Sequence, residues 1–231
     1  MKNFSNTYIF IYSTILVVVV AVILTVVSVS LKPFQLKNQE NENKQLVLGA
    51  IGIETTLNEA AEVYAQNIKE EEFNGIKYYS FSNEKGEGYI IHFDGKGLQD
   101  SIFAYLAFDK NLTITGAKFT HRAETPGLGA KMADPDFAQK FIGKSIVDEM
   151  GNIVPIVVKK NSGNGAHEVD AISGGTRTSE GVNAMLNDGI SKTYVELFQT
   201  LKNGAANTEA VEEAAEEATE ETESIEEGGK E

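Results

Sequence analysis

Asp170-Ala171-Ile172-Ser173-Gly174-Gly175-Thr176-Arg177-Thr178-Ser179 is the stretch on which the reading of this chain turns. It opens with an acid, narrows to two adjacent glycines and ends in hydroxyl residues at 176, 178 and 179. Gly174 and Gly175 allow backbone angles and close approaches that a Cβ would block. Beyond them, Val182, Met185, Leu186, Ile190, Tyr194, Leu197, Phe198 and Leu201 recur at helical spacing, which predicts an amphipathic helix over Ser179–Leu201. A glycine-flexed, hydroxyl-rich turn at a helix N-terminus suits a phosphate, because unpaired N–H groups point outward there and the helix dipole favours negative charge. A plainer reading stands beside it, in which Thr178 or Ser179 only caps the helix and nothing binds.

Working back from that turn, Ile153–Val158 reads as a strand and Pro135–Ile142 as a helix, with Asp134 and Asp136 flanking Pro135 as a helix start rather than a catalytic pair. Tyr89–Phe93, Ile102–Phe108 and Leu112–Phe119 are rich in β-formers, and the turns Asp94-Gly95-Lys96-Gly97 and Asp109-Lys110-Asn111 separate them. They predict an antiparallel meander with one face packed under helices. Upstream, Glu59–Lys69 has a helical pattern, as does the run through Leu46, Val47, Leu48, Ile51 and Ile53.

The two ends differ from this middle. No charge falls between Lys2 and Lys32, and Tyr8–Leu31 is almost wholly apolar. That exceeds the ~20 residues a helix needs to cross the hydrocarbon core, and the ~7–15 of a signal peptide. The expectation is an uncleaved single anchor. Lys32, Lys37 and Lys44 follow it, so the positive-inside tendency alone would put the domain in the cytoplasm. At the far end, eleven glutamates and one lysine in residues 203–231 carry −10 of the formal −14. Such a composition cannot bury enough to offset its ordering entropy, which predicts a disordered acidic tail. The expected organisation is therefore an N-terminal segment 1–7, an anchor 8–31 in membrane lipid, one α+β domain 32–202 and the tail 203–231.

Several function classes fall away. With no cysteine there is no disulfide, thiol catalysis or lipidated N-terminal cysteine. An acidic chain without a basic patch speaks against a nucleic-acid partner. His92, His121 and His167 have no paired ligand spacing, so no metal site is expected, and neither a nucleophile elbow nor a phosphate-binding Gly-Lys-Ser/Thr loop is present. No residue is assigned a catalytic role. One further stretch asks for an explanation: His121-Arg122-Ala123-Glu124-Thr125-Pro126-Gly127-Leu128-Gly129-Ala130, a Pro/Gly loop after a strand that is either a turn or a backbone approach to a flat ligand.

Asp170-x-x-Ser173-Gly174-x-Thr176 resembles the target of bacterial flavin transferases, which join FMN through its phosphate to the threonine, here Thr176; Gly175 stands where Ala is usual. Together with His121-x-x-Glu124-Thr125-Pro126-Gly127-Leu128-Gly129, Gly95-x-Gly97-Leu98 and Leu31-Lys32-Pro33, it makes residues 1 to about 200 similar to the C subunit of the sodium-translocating NADH:quinone reductase. Gln99 replaces the Trp common after Gly-x-Gly-Leu. The resemblance implies an FMN-binding domain on the periplasmic side of the inner membrane. It implies covalent FMN on Thr176, a site of Asp170, Ser173, Gly174, Gly175 and Thr178, and a ring contact by Glu124, Thr125, Gly127, Leu128 and Gly129. Partners would be the other subunits of a sodium-pumping NADH:ubiquinone reductase, electrons being relayed between them, and a flavin transferase for maturation. The G subunit of the Rnf electron-transport complex shares the threonine motif, the anchor and the Glu-Thr-Pro-Gly-Leu-Gly loop, and is the alternative. An anchored assembly module without cofactor is another.

Overall fold

The structure is a computed structural model that describes residues 5–83, 86–162 and 165–204. The expected tail lies outside these from residue 205 onward. Helix α1 (Asn6–Ala50) runs unbroken through the apolar segment and past Pro33, and is about 68 Å long at 1.5 Å per residue. It is, among the described residues, the one helix long and apolar enough to cross a membrane. Residues 5–40 are exposed, whereas Asn41, Val47, Leu48 and Ala50 are buried against the domain. The short α2 (Ala60–Asn67) follows, ending earlier than its pattern predicted because Ile68 already enters a strand.

Five strands form one antiparallel meander in the order β1 to β5: β1 (Ile68–Phe73), β2 (Ile76–Asn83), β3 (Gly86–Lys96), β4 (Ser101–Phe108) and β5 (Ile114–His121). The expected meander is present, with two strands added at its start. On β3 the period-2 pleat sends Ile91 and Phe93 to one face and Ile90 to the other, and both faces are covered. This corrects the expectation of a single covered face. The end of α1 and α2 cover one side, packing Val47, Leu48, Ile51 and Tyr64 on Ile90, Tyr105 and Ala107. A Cβ on Gly116 of β5 would collide with the carbonyl oxygen of Ala50, so α1 ends in backbone contact with the sheet.

The larger core lies on the opposite face, beneath the C-terminal half of the chain. A 3₁₀ turn (Gly129–Ala133) and α3 (Pro135–Gln139) place Phe137 and Phe141 against Phe119 of β5, with ring centroids 5.1 and 4.8 Å from it. Strands β6 (Val157–Lys159) and β7 (Glu168–Asp170) then pair in parallel. The chain passes from β7 through the glycine turn into α4 (Thr176–Asp188). The single helix predicted over Ser179–Leu201 is divided: a π-helical turn (Gly189–Thr193) interrupts it before α5 (residues 195–204). The break lies where Gly189 meets the Phe93 ring so closely that a Cβ would collide with it. Tyr194 then packs edge-on against that ring and donates its hydroxyl to the His92 carbonyl at 2.8 Å.

Candidate functional site

The turn before α4 is closed from within. Gly175 N–H donates to the Ile172 carbonyl at 3.0 Å, and Gly174 has φ +78°, which favours glycine because an L side chain is strained there. The Ser179 hydroxyl reaches back over the turn, accepting from Ile172 N–H and donating to the Gly175 carbonyl, each at 2.9 Å. Thr178 also points inward: it is 1% exposed and donates to Glu124 Oε2 at 2.6 Å. The helix cap expected at Thr178 or Ser179 is therefore absent. The N-cap is Gly175, and no side chain caps the first turn. What remains outward is Ser173, Gly174, Thr176 and Arg177, with Asp170 exposed at the end of β7. Among the described residues the Thr176 hydroxyl has no hydrogen-bond partner.

Glu124 binds the second loop to this turn. Only 4% exposed, it accepts from Thr178 through one oxygen and from the Gln99 N–H, at 2.9 Å, through the other, while the Leu98 N–H also bonds to it. Its own N–H donates to His121 Nδ1. Burial would raise its pKa, but the bonds from Thr178, Gln99 and Leu98 outweigh that and hold it below the usual carboxylate range. Two glycines make room for it. A Cβ on Gly97 would strike Oε1, and one on Gly129 would strike Oε2 and the Thr178 hydroxyl. Gly95 and Gly181 let α4 lie flat on the end of β3, since their Cβ positions fall 2.7 Å from Met185 Cβ and 2.5 Å from the Lys96 carbonyl oxygen. Gly181 was not apparent from the sequence, where a lone glycine inside a helical pattern has no evident partner.

The structure thus brings the two sequence motifs together, yet divides their residues between inside and outside. Glu124, Gly129 and Thr178 face inward; Thr125, Gly127 and Leu128 are exposed. Gly127 has φ +76° and open space where a Cβ would be, so it serves the bend of the loop. The Thr125 carbonyl accepts from the N–H groups of Leu128 and Ala130, which closes that bend. Leu128 leans over Gly174, whose Cβ would come 3.1 Å from Leu128 Cδ2. Leu98 is 55% exposed and Leu128 48%, so two of the few large apolar side chains that the folded domain exposes are borne by the turns that close on the Glu124 carboxylate at Gly97 and Gly129. On the other side of Thr176 opens a cavity of about 530 Å³, bordered by Lys140, Lys159, Lys160, Asp170 and Ser173. Leu98, Lys140 and Lys160 are neighbours of the site that sequence reasoning did not assign.

This arrangement fits a flavin held by its phosphate. An uncapped helix start with an exposed hydroxyl suits the phosphate, an exposed leucine pair suits a planar apolar ring, and lysines border the threonine between them. A family model described as the FMN-binding domain matches residues 97–191, which include both loops and α4. The chain is similar to the crystal structure of the C subunit of Na(+)-translocating NADH-quinone reductase from Parabacteroides distasonis, with TM-score 0.65 and 33% identity, over 73% of this chain and 96% of that one. Among curated proteins, it is 29% identical over 153 residues to the C subunit of the same reductase from Pseudomonas aeruginosa, covering 64% of this chain and 58% of the relative. It is 36% identical over 132 residues to that of Neisseria meningitidis, covering 51% of each. The chain spans between half and three-fifths of the length of these two curated relatives.

Proposed function

Because the chain belongs to the family of C subunits of Na(+)-translocating NADH-quinone reductases, we propose that it carries the FMN of such a complex, the flavin joined through its phosphate to Thr176. One observation carries the choice of residue. Thr178 and Ser179 spend their hydroxyls on Glu124 and on the turn itself, whereas Thr176 stands exposed at the first position of α4. A transferase can reach that hydroxyl past Gly174 and Gly175, which offer no side chain to obstruct it.

When bound, FMN supplies the electron-carrying chemistry. The protein's part is to hold, orient and bias. The first turn of α4 would face the phosphate with its N–H groups, and Lys140 and Lys160 would add positive charge nearby. Leu98 and Leu128 would support the ring from a surface that stays open, which permits close approach by neighbouring proteins of the complex passing electrons to and from it. Asp170 and Ser173 complete the turn that the transferase recognises, and Thr125, Gly127 and Gly129 shape the loop under Leu128. Helix α1 would anchor the chain in the inner membrane with its domain on the periplasmic side, against the weak charge signal of Lys32, Lys37 and Lys44.

The test is direct. Co-expression with a flavin transferase should give a fluorescent band that survives denaturation, and an intact mass raised by one FMN less water. Thr176→Ala should lose both completely and melt like the parent chain. Fluorescence retained in Thr176→Ala, or an adduct mapped to Thr178, would refute the assignment.

A further inference from the structure

The Glu124 carboxylate keeps its negative charge inside the site through hydrogen bonds rather than an ion pair. It is almost wholly buried, ionised, and has no Lys or Arg ion-paired with it among the described residues. Its hydrogen bonds offset the cost of burying that charge, although neutral side chains could tie the same elements together. His121 accepts the Glu124 N–H through Nδ1 and adds a weaker attraction that also lowers the carboxyl's pKa. The charge lies between Gly97 and Gly129, directly beneath the turns that bear Leu98 and Leu128.

We propose that Glu124 is a positioning residue that also sets the electrostatic bias of the flavin site: its bonds fix Leu98 and α4 relative to one another, and its negative charge beside the leucine shelf opposes reduction of a ring resting there. This rests on the flavin being tethered at Thr176. A fixed anion near a ring that gains electrons stabilises the oxidised form, and the low dielectric around a buried group strengthens the effect. Charge and geometry are separable at this residue. In Glu124→Gln the amide oxygen can accept from Gln99 N–H while the amide NH₂ donates to the Thr178 hydroxyl, which accepts as readily as it donates. The bond from Gln99 survives and the charge goes, while the Thr178 hydroxyl exchanges the role of donor for that of acceptor, a change that Thr178→Val controls for. Thr178→Val does the reverse, keeping the carboxylate and removing the hydroxyl.

The experiment is a redox titration of the full-length, flavin-loaded chain, followed by visible absorption, for the parent, Glu124→Gln and Thr178→Val. The expected result is a positive shift of midpoint potential in Glu124→Gln and a clearly smaller change in Thr178→Val. Equal potentials in parent and Glu124→Gln, or an equal shift in both variants, would overturn the proposal. Absence of covalent flavin from the parent would instead defeat the assignment of Thr176. If Glu124→Gln does not fold, the ¹³C carboxyl shift of Glu124 in the parent decides the matter: an ionised group at neutral pH supports the proposal, and a protonated one ends it.

Discussion

The two faces of the five-stranded sheet are closed by different means. On one, α1 arrives from outside the domain and ends on Gly116, its last carbonyl against the strand backbone. On the other, the chain covers the sheet with its own C-terminal half, burying a larger core that includes Phe93, Phe119, Phe141 and Phe198. The candidate site lies on the second side, at the start of α4 and across the edge of that core. Support and attachment are thus divided. The face carrying α1 is a joint, and the face carrying the site is a platform built on the larger core.

Breaking the joint should have the largest effect. Gly116→Val places a branched side chain into the Ala50 carbonyl, and neither backbone can yield cheaply. A loss of about 3 kcal/mol is expected, at the upper end for overpacking, seen as a lower Tm in detergent. Covalent flavin per folded chain should stay at the parental level, and its loss in parallel would mean that the two faces are not independent. A smaller effect tests the platform. Gly127→Val meets no atom but forces a branched residue into a left-handed backbone, at about 1–2 kcal/mol. Its absorption spectrum should change because Leu128 moves, while the covalent bond persists. An unchanged spectrum in the folded variant would remove this loop from the ring's surroundings.

The smallest effect belongs to the joint side again. His92 is stacked between Tyr105 and Phe103, with ring centroids 4.6 and 5.9 Å away, and burial lowers its pKa against the opposing influence of Asp94. A histidine whose folded pKa is depressed favours the native state above its unfolded value and loses that contribution as pH falls. Tm should therefore decline gently from about pH 7 to about pH 5.5, where carboxylates titrate little. His92→Phe should flatten that decline, and an identical slope would show the stack to be indifferent to protonation.

What the sequence made legible follows from where each signal resides. Strands β3 to β5 were apparent because each carries β-forming residues, apolar where the strand faces a core: Ile90, Ile91 and Phe93 on β3, nearly all of β4, and Ile114 and Phe119 on β5. Strand β1 was not, since Lys69-Glu70-Glu71-Glu72 is a solvated edge without alternation, and β2 mixes Tyr, Ser and Lys in the same way. The break at Gly189 depends on Phe93, almost a hundred residues earlier, and no local window contains both. The glycine turn and the Pro/Gly loop were legible as motifs through resemblance. Their joining through Glu124 and Thr178, and the inward direction of both side chains, required the fold. A motif names its residues without saying which of them face the ligand.

Helix α1 also sets a bearing. Residues 32–40 form an exposed, helical stem between the apolar segment and the docked end at Asn41–Ala50. Each residue of such a stem adds about 1.5 Å of height and turns everything above it by about 100°. The compass direction in which Thr176 faces, viewed down the membrane normal, is therefore written in the length of the stem. One residue more or less would swing the site to another quarter, whereas seven more would raise it by about 10 Å and return it to within about 20° of its original heading.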